Sequence, residues 1–428
     1  MKNGSTSLIA FCSFVLTFAS FASCASFGLL FGQEAAEVTN WPEFRGLTAN
    51  GYAASSDLPV EFSQQSAKWE AEIHGKGWSS PVIWDQQIWL TTATKSGQEM
   101  SVLCFDLETG ETVHDQVVFE NENPEPIHNL NSYATPTPVV CEGKVYVHFG
   151  TYGTACLDST SCEKLWERRD LECNHFRGPA SSPILSEGNL FVAFDGFDQQ
   201  YVVALDAESG DTVWKRDREI EYGTDNGDRK KAYGTATIVE VDDRPVLVYP
   251  SALATIAYDP GNGDTIWTAY HGGMNVSARP VVSEGGIMVI ANGMGKIIGL
   301  RTDGKGDVTD SHIVWTARNS AAKKSSPMIV DELIYMVSDD GIISCVDVEN
   351  GETLYRERVG SDYAASPIYA SGKLYFFSMK GDVLVLKPGR NYEALANSKF
   401  GSGFMASPAV SGGKLILRSK THLYCFEK

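Results

Sequence analysis

The sequence predicts an all-β fold: an eight-bladed β-propeller of four-stranded antiparallel blades, its ring closed by an N-terminal strand in the last blade. Three observations carry this. A small residue followed by Pro, or a close substitute, and then a short apolar run recurs eight times, from Ser80-Pro81-Val82-Ile83 to Ser407-Pro408-Ala409-Val410. Pro81 and Pro408 are 327 residues and seven steps apart, about 47 per step, the length of a four-stranded propeller blade. The terminal unit stops after three strands, and an unassigned strand waits at the front of the chain.

The first 32 residues carry a single charge, Lys2, and an apolar run from Leu8 to Phe21 followed by the small residues Ala22, Ser23, Ala25 and Ser26. A positive start, an apolar core and a small-residue exit describe a secretory signal peptide. Because apolar character resumes over Phe27–Phe31, an uncleaved N-terminal anchor is the alternative. Phe21-Ala22-Ser23-Cys24 also resembles a bacterial lipoprotein signal in which Cys24 is acylated. We therefore divide the chain into residues 1–32 as signal or anchor, 33–66 as an N-terminal extension and 67–428 as the propeller. The protein is expected to be exported to the periplasm or cell envelope, touching membrane only through that anchor or lipid.

Within each unit the proline opens strand one, where a residue that cannot donate to the ladder is tolerated. A second apolar run begins seven residues later, as at Ile88, Val145 and Leu190. The third run ends in Asp, and a Gly-bearing turn leads to a bulky residue eight positions on, as in Asp158 to Trp166 and Asp206 to Trp214. Glycine supplies the positive φ that a tight hairpin needs. In unit five this step is stretched by Asp303-Gly304-Lys305-Gly306-Asp307, which lacks the spacing of a calcium loop and reads as a solvated turn that lengthens the blade. The front strand, Ala67 to Glu72, places Trp69 twelve residues before Pro81, the same distance as Trp315 to Pro327. Trp69 is thus the missing fourth strand of blade eight, set against the segment around Leu415. The repeating tryptophans read as packing between blades.

Seven cysteines follow Cys12 and Cys24. Cys104, Cys156, Cys345 and Cys425 hold one repeat position, shared with Ala204 and Ala257 in other units, so they are small core residues in separate blades. No disulfide is required, Cys141 or Cys162 is expected free, and no Cys/His spacing suggests a metal.

Ala204-Leu205-Asp206-Ala207-Glu208-Ser209-Gly210-Asp211-Thr212-Val213-Trp214 resembles the signature of the pyrroloquinoline-quinone-like repeat, over about Ala67 to Phe426. Trp41-Pro42-Glu43-Phe44-Arg45-Gly46 and Asn174-His175-Phe176-Arg177-Gly178-Pro179 are similar to exported repeat proteins of planctomycete-type bacteria. The same repeat builds quinoprotein dehydrogenases and the lipoprotein scaffold of the outer-membrane β-barrel assembly machinery. The dehydrogenases of that group use two adjacent cysteines, a calcium held by carboxylates and an Asn, and an Asp base. This sequence has no Cys-Cys pair and no Glu/Asn/Asp set that maps onto that pattern. No catalytic residue is carried over and no cofactor is expected; pyrroloquinoline quinone with calcium remains the alternative.

The links from strand four of one blade to strand one of the next all emerge on one face. Measured from the bulky strand-four residue to the next proline position, five span 12 or 13 residues; those after blades one, two and three span 24, 17 and 22. Adjacent insertions on a shared face mark a candidate binding surface. They carry His128, Asn131, Tyr133, His175, Arg177, Arg229, Lys230 and Tyr233, the candidate ligand-binding residues. Converging cations and hydrogen-bonding groups suit an anionic or polyhydroxy ligand, or an acidic peptide. The competing reading is that these loops pack on one another. With 35 Lys+Arg against 54 Asp+Glu the net charge is −19, which argues against a nucleic-acid partner. The expected function is an exported, non-enzymatic scaffold that binds a protein partner or small polar ligand on the loop-rich face; the alternative is a quinoprotein-type oxidoreductase or other enzyme using that face.

Overall fold

Every Trp-bearing strand four ends against the next blade's hairpin. In this computed structural model, which describes Met1 and residues 39–53, 57–318, 322–360 and 362–428, Trp69, Trp166, Trp214, Trp267 and Trp315 each donate an indole N–H to a carbonyl there. The acceptors are Leu107, Ala207, Pro260, Thr302 and Val348, at 2.7–3.2 Å. The hairpin's glycine makes the contact possible: a Cβ at Gly210 would lie 2.7 Å from the Trp166 ring. The repeating Asp has its own task. Asp106 Oδ1 accepts the backbone N–H of Glu108 and Thr109, capping the turn, and Asp158 and Asp206 do the same.

The blades are eight antiparallel sheets arranged in a ring, strand one innermost. Blade one runs through Val82–Trp84, Gln87–Ala93, Glu99–Asp106 and Thr112–Glu120. Blade eight consists of Ala409–Ser411, Lys414–Arg418, His422–Phe426 and the front strand Trp69–Glu72. Trp69 pairs with Cys425, and the strand holding Leu415 lies one further in. Lys68 bridges Glu427 at 2.7 Å and Glu108 of blade one at 2.9 Å, and nearly buried Lys414 also bridges Glu108. The front strand and the last three strands of the chain thus form one sheet, which closes the ring.

Two blades gain a short fifth strand. Tyr52–Ala53 pairs in parallel with strand one of blade seven, and Gly306–Asp307 pairs in parallel with Trp267 and Thr268 of blade four. The Asp303–Asp307 insertion therefore covers an edge of blade four instead of only lengthening blade five. Its neighbour Thr309–His312 forms the single short α-helix among the described residues.

The seven cysteines from Cys104 onward are all free, and six are buried. Burial pushes the Cys104 thiol well up and that of Cys156 to about 12, as expected of inert core residues.

The extension before Trp69 is built into the core. Leu58 and Phe62 are buried, the Phe62 ring lying 4.9 Å from that of Phe426. The compact unit runs from Glu37 to Lys428. Residues 2–32 lie outside the described residues, as does the signal or anchor read from them. No helix among the described residues is long and apolar enough to cross a membrane.

Candidate functional site at the channel mouth

The residue before each strand-one proline position points at the axis and ties its blade to the next. Ser80 N donates to Thr137 Oγ1, Thr137 N to Ser182 Oγ and Ser182 N to Thr235 Oγ1. Arg279 N donates to Ser326 Oγ, and the chain continues through Ser366 and Ser407 back to Ser80. Seven of the eight junctions carry this bond, at 2.9–3.1 Å. The exception lies between blades four and five, where Arg279 offers no hydroxyl. Thr237 Oγ1 there donates to the Pro280 carbonyl at 2.8 Å. This explains the recurrent Ser-Pro: the hydroxyl serves as rung and the proline starts the strand.

Above this ring, on the face of the inter-blade links, opens a cavity of about 460 Å³ to which every blade junction contributes. Its lining includes five of the ring hydroxyl residues, Trp78, Asn275, Met294 and the charged Arg177, Lys323, Lys324 and Asp339. The lining itself holds three cations and one carboxylate, and with Asp228 beside Arg177 the balance at the mouth is one positive charge, carried by Lys323. Such a cleft focuses an anion's approach. Lys324 pairs with Asp339 at 2.9 Å and Arg177 Nη2 with Asp228 at 2.8 Å. Three lining residues keep polar atoms without a protein partner: Arg177 Nε, the Tyr233 hydroxyl and Asn275 Oδ1. Exposed Leu130 and Met294 add apolar surface at the rim.

Of the residues anticipated from the long links, His128, Asn131, Arg177 and Tyr233 line this cavity. Asn131 works between links, its amide donating to the carbonyls of Arg177 and Pro179. The other four stand elsewhere. Tyr133 is buried and donates to the Glu125 carbonyl at 2.7 Å. His175 is buried beside Cys173, and its Nε2 accepts the Thr151 N–H at 2.9 Å, so it is held neutral and far below its usual range by burial and by the Lys231 charge. Arg229 is exposed outside the mouth, and half-buried Lys230 lies over the Tyr222 ring.

Beneath these loops a buried pair, Arg218 with Asp195 at 2.7 Å, takes Lys231 Nζ on the Asp195 carbonyl. Burial pulls the Lys231 ammonium down to about 8. The loops thus pack on one another at their base and converge on the cavity only at their tips. Lys323, Lys324 and Asn275 were missed because their links are short, so length did not point to them.

The opposite end of the channel is closed by residues 39–53. This strap bonds to Ser411 of blade eight through Thr39, pairs Trp41 with Ile83 of blade one, and meets Val140 of blade two through the Pro42 carbonyl. It then crosses to blades five and seven, where the Phe44 carbonyl accepts from Arg279 and that of Gly51 from Tyr369 N. Phe44 is the strap's contribution to the cavity lining.

An eight-bladed ring with this tryptophan dock is a pyrroloquinoline-quinone-like repeat propeller. More specifically, residues 69–252 and 252–390 match the family described as outer membrane protein assembly factor BamB, and the chain belongs to it. Among curated relatives, BamB of Moranella endobia is 26% identical over 204 residues, 43% of this chain and 49% of that protein. BamB of Yersinia pestis is 24% identical over 207 residues, with the same coverage. The chain spans about half the length of the curated relatives it matches. In three dimensions it resembles a europium-containing methanol dehydrogenase (TM-score 0.71, 10% identity, 91% of this chain, 98% of that one). It also resembles BamB from Moraxella catarrhalis (0.60, 13%, 84% and 98%) and a quinohemoprotein alcohol dehydrogenase from Comamonas testosteroni (0.66, 11%, 92% and 81%). At these identities the likeness shows the fold alone.

The mouth does not fit a calcium-held quinone. Its one lining carboxylate, Asp339, is engaged by Lys324. Among the described residues no three His, Cys, Asp or Glu side chains come together as a metal site.

Proposed function

We propose that this protein is an exported binding scaffold that engages a partner protein at the mouth of the channel, taking an acidic, extended segment or a small polar anion into the cavity. The supporting observation is the cavity itself: every blade junction reaches it, and its lining carries Arg177, Lys323 and Lys324 against the single carboxylate Asp339. Leu130 and Met294 supply apolar rim contacts, and hydroxyls from the ring supply further hydrogen bonds. In this reading residues 1–32 direct export to the cell envelope. Family membership supports a protein partner there, since BamB is by name an assembly factor of outer-membrane proteins.

The test is site-specific photo-crosslinking in cells. A crosslinker at rim residue Met294 captures a partner, whereas one at Val213, exposed on the outer edge of blade three, does not. Capture at Met294 is lost in Lys323→Ala/Lys324→Ala. Equal capture at both positions, or capture indifferent to the lysines, rejects the proposal. A shifted absorption spectrum and dye-linked alcohol oxidation on adding pyrroloquinoline quinone with calcium would install the enzymatic alternative.

A further inference from the structure

The strap carries chemistry that channel closure does not require. Arg45 and Arg279 are both buried, 2% and 1% exposed, and a single carboxylate, Glu43, stands with them. Arg279 Nη2 reaches Glu43 at 2.8 Å, and its Nη1 donates to the Phe44 carbonyl. Arg45 Nη2 donates to the Asn50 carbonyl. Arg45 Nε, Arg45 Nη1 and Arg279 Nε have no protein partner. Two guanidiniums against one carboxylate leave one positive charge uncompensated in the protein interior. Burial, together with repulsion by Arg279, pulls Arg45 down to about 9. Arginine does not shed its proton in proteins, so the charge is neutralised from outside or carried at a cost of several kcal/mol. Water can satisfy the N–H groups but not the charge.

Two further features indicate that the arrangement is built. Arg279 occupies the slot that carries a hydroxyl at the other seven junctions, so a rung of the ring is given up for it. Arg45 holds a backbone φ of 72°, a left-handed conformation that costs a non-glycine residue and persists only where its surroundings enforce it.

We infer that the base of the channel holds a small inorganic monoanion of the halide class, bound between Arg45 and Arg279 and closed in by the strap. The charge balance calls for one negative charge. The close packing around Arg45 calls for a small ion: a Cβ on Gly51 would lie 2.9 Å from Met328 and 3.2 Å from Arg45 Nη2. This site adjoins the mouth cavity through Phe44, whose carbonyl accepts from Arg279, but the inference does not depend on the partner proposed at the mouth.

The test is thermal unfolding of the propeller at matched ionic strength in sodium chloride, sodium bromide or sodium gluconate, whose anion is too large to enter. Chloride and bromide raise the melting temperature saturably, and gluconate does not. Arg45→Met abolishes the dependence. Should that variant fail to fold, Glu43→Gln answers the question from the other side. It removes the only counter-charge, and the chloride concentration for half-maximal stabilisation falls by about tenfold. Bromide-soaked crystals show an anomalous peak between the two guanidiniums. Identical melting in chloride and gluconate for both the natural chain and Glu43→Gln, or a water at that position in the bromide-soaked crystals, overturns the inference.

Discussion

The two ends of one channel use arginine in opposite ways. At the mouth, Arg177 is partly exposed and paired with its own acid, Asp228. At the base, Arg45 and Arg279 are buried, and Glu43 pairs with Arg279 alone. A charge near water is cheap to hold and easy to lend to a visiting ligand, whereas a buried charge must be compensated permanently. The mouth is therefore suited to exchange and the base to permanence.

Acid should separate the two ends most strongly. His148, His175 and His271 are buried on the mouth side, and burial holds them down to about 3, well below the usual range, and to about 4, respectively. The unfolded chain takes up their protons from about pH 6.5 downward while the folded chain refuses them. Stability is therefore complete above pH 6.5 and falls as pH drops towards 4, by about 1.4 kcal/mol per pH unit for each histidine. Urea midpoints measured across this range should show the loss, and His175→Gln should remove one proton's worth of slope. Next in size is Arg279→Ser, which restores the hydroxyl of the other blades yet strands Glu43 in the interior. We expect a loss of about 3–5 kcal/mol by chemical denaturation, with most of it regained when Glu43→Gln is added. Thr137→Ala removes one ring rung and should cost about 1 kcal/mol. Lys323→Ala/Lys324→Ala, at the mouth, should change stability by less than about 1 kcal/mol while abolishing partner capture. A mouth variant as damaging as Arg279→Ser would erase the distinction between the ends.

The blade count, strand order and closure by Trp69 were readable because they repeat: Ser-Pro, Asp and Trp recur at fixed spacing and each has one physical task. The mouth was half readable. Link length drew attention to Arg177 and Tyr233, but the same criterion passed over Lys323 and Lys324, which reach the cavity from a short link. It also included His175 and Tyr133, whose positions in long loops gave no sign that they turn inward to satisfy backbone groups. The base of the channel was marked in the sequence by its irregularity. Arg279-Pro280 stands where Ser or Thr stands in the other blades, and only the strap, a non-repeating segment, shows what the exception serves.

The strap also decides how the channel can empty. It spans blades eight, one, two, five and seven on the side away from the mouth, so the channel is a blind well: what enters by the open end must leave by it.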